Sequence, residues 1–214
     1  MNICSVIGCN NKYRASGYCD KHYKQIRTHG KILERTNYDP NEIIVDDNVC
    51  RIKLYNRDCK EIAETTFDLK YKEEIEKYKW HLHRSGYTET WWCDENKKVH
   101  KTTLHQAIIA LSGQEVPDGY EIDHKDGNKL NCLESNLRIC TNSQNKCNVK
   151  IRTNSKSGAK GVTYHNQTGK WQALISINCN PIFLGLFDTI EDAAKAYNEA
   201  AIQHHGEFAV LNNI

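Results

Sequence analysis

The chain has 214 residues, 39% of them hydrophobic, a mean hydropathy of −0.72 and a formal net charge of +2. No apolar run approaches the roughly 20 residues that cross a bilayer. The opening stretch MNICSVIGCNNKYR lacks the apolar segment of a secretory signal, so the expected setting is the reducing cytoplasm.

So polar a composition favours several small modules over one large core. Of ten cysteines, three gather near the N-terminus beside a histidine. The other seven are scattered and odd in number, which suits reduced packing thiols better than a disulfide scaffold. Charge is unevenly spread. From Ser135 to Phe187 there is no Asp or Glu, while Arg138, Lys146, Lys150, Arg152, Lys156, Lys160 and Lys170 fall there. A second basic stretch holds Lys12, Arg14, Lys21, Lys24, Arg27 and Lys31 against Asp20 alone. Such segregation points to a polyanionic partner.

The first predicted element is a metal-stabilised module over 1–36. Cys4 and Cys9 flank a short loop, and Cys19 and His22 are one helical turn apart. Three thiolates and an imidazole suit tetrahedral Zn²⁺. The segment is too short to fold on a core of its own, so the metal would supply the stability. A helix is expected to begin near Cys19.

Residues 37–103 alternate apolar and polar positions. EIIVDD, NVCRIKLY and KEIAETTF read as strands, KEEIEKY as a short helix, and KWHLHRSGYTETWW and KKVHKTTL as further strands. Trp80, Trp91 and Trp92 are expected in the core of this β-rich module.

Residues 104–149 open with the apolar-faced helix TLHQAIIALSG, followed by the turn VPDG. YEID is a strand leading to His124, NLRICT a returning strand, and NSQNKCNV a helix capped by Thr141 or Asn142. Hydrolysis of a phosphodiester needs a nucleophile and charge neutralisation. His124 is the candidate general base. Asp123 and Asn145 offer the carboxylate and amide oxygens that a hard cation, Mg²⁺ or Mn²⁺, prefers. Asn136 is expected to tie the loop and orient His124 by a hydrogen bond. A bulge at the strand end would have to turn His124 toward the face of Asp123.

Residues 150–214 follow a linker, KIRTNSKSG. AKGVTYH, KWQALISIN and PIFLGLF read as three strands, and TIEDAAKAYNEAAIQHHG as an amphipathic helix with Thr189 as N-cap and Gly206 as its stop.

The stretch EIDHKDGNKLNCLESNLRICTNSQN resembles the HNH nucleases, in the branch of phage and intron homing endonucleases. The family's Asp-His pair matches Asp123 and His124, its middle Asn matches Asn136 within ESNLR, and its last position is Asn145. The resemblance implies a ββα-metal fold, one divalent ion and a double-stranded DNA substrate. His105 matches a histidine of the family's LHR phrase, with LHQ here, and is given a structural or phosphate-contact role at most. The N-terminal phrase GYCDKHY is similar to the Cys₃His fingers that open many phage endonucleases.

KGVTYH, GKWQALI, FLGLFDTIEDAAKAYNEAA and GEFAVLN resemble the DNA-binding domain of plant ethylene-response factors, of the APETALA type. That family's contact positions fall on Lys160, Thr163, His165, Leu174, Ser176, Pro181 and Phe183, with Lys170 and Gln172 as further candidates. Leu174 and Pro181 have no side-chain donor, so the fold carries over and the base preference does not.

The expected architecture is therefore α+β and multidomain: a zinc finger, a β-rich module, an HNH nuclease unit, and a three-stranded antiparallel sheet on one helix. The expected activity is metal-dependent strand nicking by a monomer in a bacterial or phage-infected cell. The alternative is a sequence-specific DNA-binding protein with a silent nuclease site.

Overall fold

The structure, a computed structural model, describes residues 3–36, 39–148, 156–177 and 180–214. Most of the linker at 150–158 and Cys179 lie outside the described residues. The chain divides into two compact units, Met1–Pro40 with Tyr55–Glu61, and Asn41–Leu54 with Ile62–Ile214.

In the first unit, tight turns precede helix α1 (Asp20–His29). Its end is set by Gly30, whose left-handed φ of 71° lets its N–H return to the Ile26 carbonyl at 2.8 Å. Arg35 lies over the Tyr55 ring, 3.8 Å from its centroid.

The second unit starts with strands β1 (Ile43–Asp46), β2 (Val49–Tyr55) and β3 (Glu61–Asp68) in the order β1-β2-β3. The alternation in VCRIKLY sends Cys50, Ile52 and Leu54 to one fully buried face. Helix α2 (Lys72–Ile75) follows, then β4 (His81–Leu82), β5 (Thr88–Cys93) and β6 (Val99–Thr103) as a second sheet. Helix α3 (Leu104–Leu111) is started by a capping box between Thr103 and Gln106. One hydrophobic core joins Ile52, Leu54, Phe67, Ile75, Trp80, Leu104, Ile108 and Leu137, so it runs across the boundary expected at position 104. Full burial of each such aliphatic or aromatic side chain contributes about 1.5–3 kcal/mol.

Trp80 sits in this core and its Nε1 donates to the Ile75 carbonyl at 2.8 Å. Trp91 does not: it is 51% exposed and stacks on His81 with centroids 4.6 Å apart. The buried part of β5 is Thr88–Thr90, and the end of the β5–β6 hairpin carries Trp91 past the core.

Strands β7 (Tyr120–His124) and β8 (Leu137–Thr141) form an antiparallel hairpin, and helix α4 (Asn142–Cys147) follows at once. Thr141 caps it, with Gln144 returning the bond. The first sheet braces the long β7–β8 loop. Thr66 N–H donates to Leu130 O at 2.8 Å, Cys132 N–H to Thr66 O at 2.9 Å, and Glu134 N–H to Asp68 Oδ2 at 2.7 Å.

The last part is a sheet of β9 (Val162–His165), β10 (Lys170–Ile177) and β11 (Asn180–Phe187) in the order β11-β10-β9, with helix α5 (Ile190–His205) on one face. Buried Ala193, Ala194, Ala200 and Ala201 let α5 lie close to the sheet. Gly161 is required there: a Cβ would stand 2.1 Å from the Tyr197 ring and 2.5 Å from the Leu174 carbonyl, at a φ of +73°.

Candidate active site and a Cys/His cluster

The β7–β8–α4 unit gathers three of the four predicted residues by its topology. Asp123 and His124 end β7, and Asn145 lies on α4, which packs on both strands. Pairing runs unbroken from Tyr120↔Thr141 to His124↔Leu137, so the expected bulge is absent. The pleat therefore sends the neighbouring side chains to opposite faces.

Asp123, 6% exposed, faces Arg138, its partner across the hairpin. Arg138 Nε and Nη2 donate to Oδ2 at 2.9 and 2.8 Å, and Asn148 Nδ2 lies 3.0 Å from each carboxylate oxygen. Oδ2 is thus saturated, while Oδ1 receives Asn148 alone among the described residues. Asn145 Nδ2 donates to Glu121 Oε2 at 2.6 Å, which fixes the amide. No donor among the described residues meets its Oδ1. The amides of Asn145 and Asn142 hold the Glu121 carboxyl below its ordinary range. A carboxylate oxygen and an amide oxygen with lone pairs to spare fit a hard divalent cation and not a soft one.

His124, 4% exposed, lies on the other face. Its Nε2 is 3.8 Å from Cys132 Sγ, and its ring meets His105 edge-on with centroids 5.1 Å apart. Burial pushes the His124 pKa down, against the pull of Asp126 and Asp123, and so favours the neutral imidazole. His105 is pushed to about 4 by burial and then by His124; its Nε2 is 3.0 Å from Thr103 Oγ1 and its buried Nδ1 has no hydrogen-bond partner among the described residues. A cleft of ≈ 570 Å³ lies beside this pair, lined by Tyr87, Thr103, His105, Gln106, Glu121 and Asn145 among others, though not by Asp123 or His124.

Asn136 does not reach His124 by a hydrogen bond among the described residues. Its Nδ2 donates to Asp126 Oδ1 at 3.0 Å and Asn131 O at 2.8 Å, and its Oδ1 accepts from Asp126 N–H at 3.1 Å. The loop doubles back on itself, so the amide is spent closing it. Asn136 still fixes the chain beside His124, since Lys125 N–H donates to its carbonyl at 2.9 Å.

In the first unit, ligand atoms of Cys4, Cys9, Cys19 and His22 all lie within 4.8 Å of one another. Cys4 Sγ is 3.1 Å and Cys19 Sγ 3.6 Å from His22 Nδ1, and Cys9 Sγ is 3.9 Å from Cys19 Sγ. Ligands about 2.0–2.3 Å from a tetrahedral ion stand about 3.5–3.8 Å apart, close to these spacings.

On the C-terminal sheet, register pairs Thr163 with Gln172, His165 with Lys170, Ser176 with Pro181, and Leu174 with Phe183. Ala173 and Ile175 of β10 are buried toward α5, so this set occupies the opposite face. Lys160 is elsewhere. Its Nζ donates to the Cys147 carbonyl at 2.5 Å, at the last turn of α4, where a cation complements the helix dipole.

Glu121, Arg138 and Asn148 went unassigned in the sequence. Glu121 is two residues before Asp123 and thus on its face, a signal present in the period of a strand. Arg138 required the hairpin register.

Strands β7 and β8 run straight into α4 as a ββα unit, with the Asp-His pair on its first strand and Asn145 on its helix. A family model described as HNH endonuclease matches residues 104–147. A protein of Acanthamoeba polyphaga mimivirus named as an uncharacterized HNH endonuclease is 31% identical over 185 residues, 86% of this chain and 92% of that protein. The chain belongs to the HNH endonucleases and is a DNA nuclease. Protein 3.8 of Escherichia phage T7 is 32% identical over 105 residues, 49% of this chain and 86% of that protein. The AP2-like ethylene-responsive transcription factor ANT of Arabidopsis thaliana is 47% identical over 55 residues, 25% of this chain and 10% of that protein. No helix among the described residues is long and apolar enough to cross a membrane.

Proposed function

We propose that the chain nicks double-stranded DNA as a homing-type HNH endonuclease, using one Mg²⁺ or Mn²⁺ held by Asp123 and Asn145. The observation that carries this reading is the pair of under-used oxygens, Asp123 Oδ1 and Asn145 Oδ1, on one ββα frame with a buried imidazole. When bound, the cation supplies charge neutralisation at the phosphate and the leaving oxygen. We assign the proton of the attacking water to His124: its ring neighbours Tyr87 and His105 line the same cleft as Glu121 and Asn145, so the imidazole meets that cleft from across β7, and burial keeps it in its base form near neutrality. Asn136 holds the loop that follows His124.

Four modules divide the work: a finger at 1–36, a β-rich brace at 37–103, the nuclease unit at 104–149 and a DNA-binding module at 150–214. Cys4, Cys9, Cys19 and His22 hold one Zn²⁺ that folds the finger. Thr163, His165, Lys170, Gln172, Ser176 and Phe183 face the DNA groove; the likeness to the plant factor and the shared sheet face support this.

One site of this kind holds one scissile phosphate in one polarity, and flanking modules fix one register on the duplex. A monomer therefore cuts one strand first. The test is a supercoiled plasmid carrying the locus without the gene. Mg²⁺ should yield open circle well before linear DNA, and omitting Mg²⁺ from the zinc-loaded protein should stop it. Linear product rising in parallel with the loss of supercoil would point to paired sites instead.

A further inference from the structure

The second carboxylate oxygen of Asp123 belongs to Arg138, and Arg138 in turn belongs to the C-terminal module. One edge of the guanidinium, Nε and Nη2, is closed on Asp123 Oδ2. Its Nη1 donates to the Glu207 carbonyl at 2.6 Å. Its plane lies over the Phe208 ring, 3.8 Å from the centroid. The Arg138 side chain is only 9% exposed, and Phe208 is buried. Glu207 and Phe208 form the turn that follows α5 at Gly206. A planar fork held on two edges and one face has no rotational freedom left.

The same module grips the helix of Asn145. Lys160 Nζ donates to Cys147 O at 2.5 Å, and His205 Nδ1 is 3.3 Å from Cys147 Sγ, two residues beyond Asn145. Both proposed cation ligands are therefore braced from one side by the DNA-binding module.

We infer that Arg138 is a positioning residue: clamped by Phe208 and the Glu207 carbonyl, it holds Asp123 so that Oδ1 faces the cation, and so couples the C-terminal module to the cation site. This rests on the reading that Asp123 is a cation ligand. The clamp acts by orientation, because its charge lies beside the carboxylate whether the fork is tight or loose. Variants that keep the charge therefore isolate the effect. Phe208→Leu keeps an apolar filler and removes the ring face. Arg138→Lys keeps the cation and removes the fork.

The test uses the full-length, zinc-loaded protein. Binding of Mn²⁺ is followed by electron paramagnetic resonance of the free ion, without DNA. Phe208→Leu and Arg138→Lys should each weaken Mn²⁺ binding by about tenfold, the scale of losses when groups that orient a ligand are changed. DNA affinity without added divalent cation and without chelator should stay within about twofold for Phe208→Leu, since the groove-facing side chains are untouched. Asp123→Asn should weaken Mn²⁺ binding further than either. If Asp123→Asn binds Mn²⁺ like the parent, the ligand reading falls and the inference with it. If Asp123→Asn loses Mn²⁺ but a folded Phe208→Leu binds it like the parent, the coupling alone is overturned.

Discussion

Asn145 of α4 donates its side-chain amide to the Glu121 carboxylate of β7 at 2.6 Å. This bond decides which end of the amide is left over: the nitrogen is spent and the oxygen is presented. Asn142 donates to the other Glu121 oxygen at 2.8 Å, so the carboxylate is itself held. Glu121→Ala frees the Asn145 amide to rotate. Cleavage at fixed Mg²⁺ should fall by about 10–100-fold and be partly restored by raising Mg²⁺. A rate equal to the parent at every Mg²⁺ concentration would show that the bond orients nothing.

His105 makes stability depend on acid. Its folded pKa, about 4, is below the ordinary value of 6.5, chiefly through burial. Between those values the unfolded chain binds a proton that the folded chain refuses. Stability is thus full above pH 6.5 and is lost as pH falls toward 4, by up to roughly 3 kcal/mol from this group. Urea midpoints at about pH 7.5 and about pH 4.5 should show a smaller acid loss for His105→Phe than for the parent. Equal losses would place the proton uptake on other groups.

Much of this was legible because strand and helix periods are local. The alternation in VCRIKLY, the cap at Thr141 and the alanine face of α5 all need only neighbours in sequence. Four features needed tertiary pairing. Trp91 is as apolar as Trp80 but stands at the free end of a hairpin. Asn136 has a loop partner, Asp126, that outcompetes His124 for its amide. Lys160 sits where a groove contact is expected by resemblance, and the nearby end of α4 takes it instead. The Asp123–Arg138 pair lay in the register of a hairpin whose loop length alone did not set it.

The Cys/His cluster predicts one bound zinc per chain. Removing it should unfold the first unit, since that unit has little apolar core and a structural zinc supplies folding energy outright. Hydrogen exchange after chelation should rise across 3–36 and leave α3 and β10 protected. Protein purified without chelator and free of zinc, with α1 still protected, would contradict this.

The face of the C-terminal sheet predicts a salt-dependent loss on charge reversal. Gln172 lies at its centre, paired with Thr163 and Leu186. Gln172→Glu should weaken DNA binding by about tenfold at moderate salt by repelling phosphates. Gel-shift affinity unchanged from the parent would mean that the sheet faces something other than DNA.

The central claim is that His124 acts as the base of a cation-dependent nuclease. The most direct measurement is single-turnover cleavage of the cognate plasmid by His124→Ala in Mg²⁺, beside DNA affinity measured without added divalent cation or chelator. A lost general base predicts a cleavage rate about 10²–10⁴-fold below the parent with affinity nearly unchanged. Cleavage within about twofold of the parent would contradict the assignment, because no general base of the usual effect can be removed so cheaply.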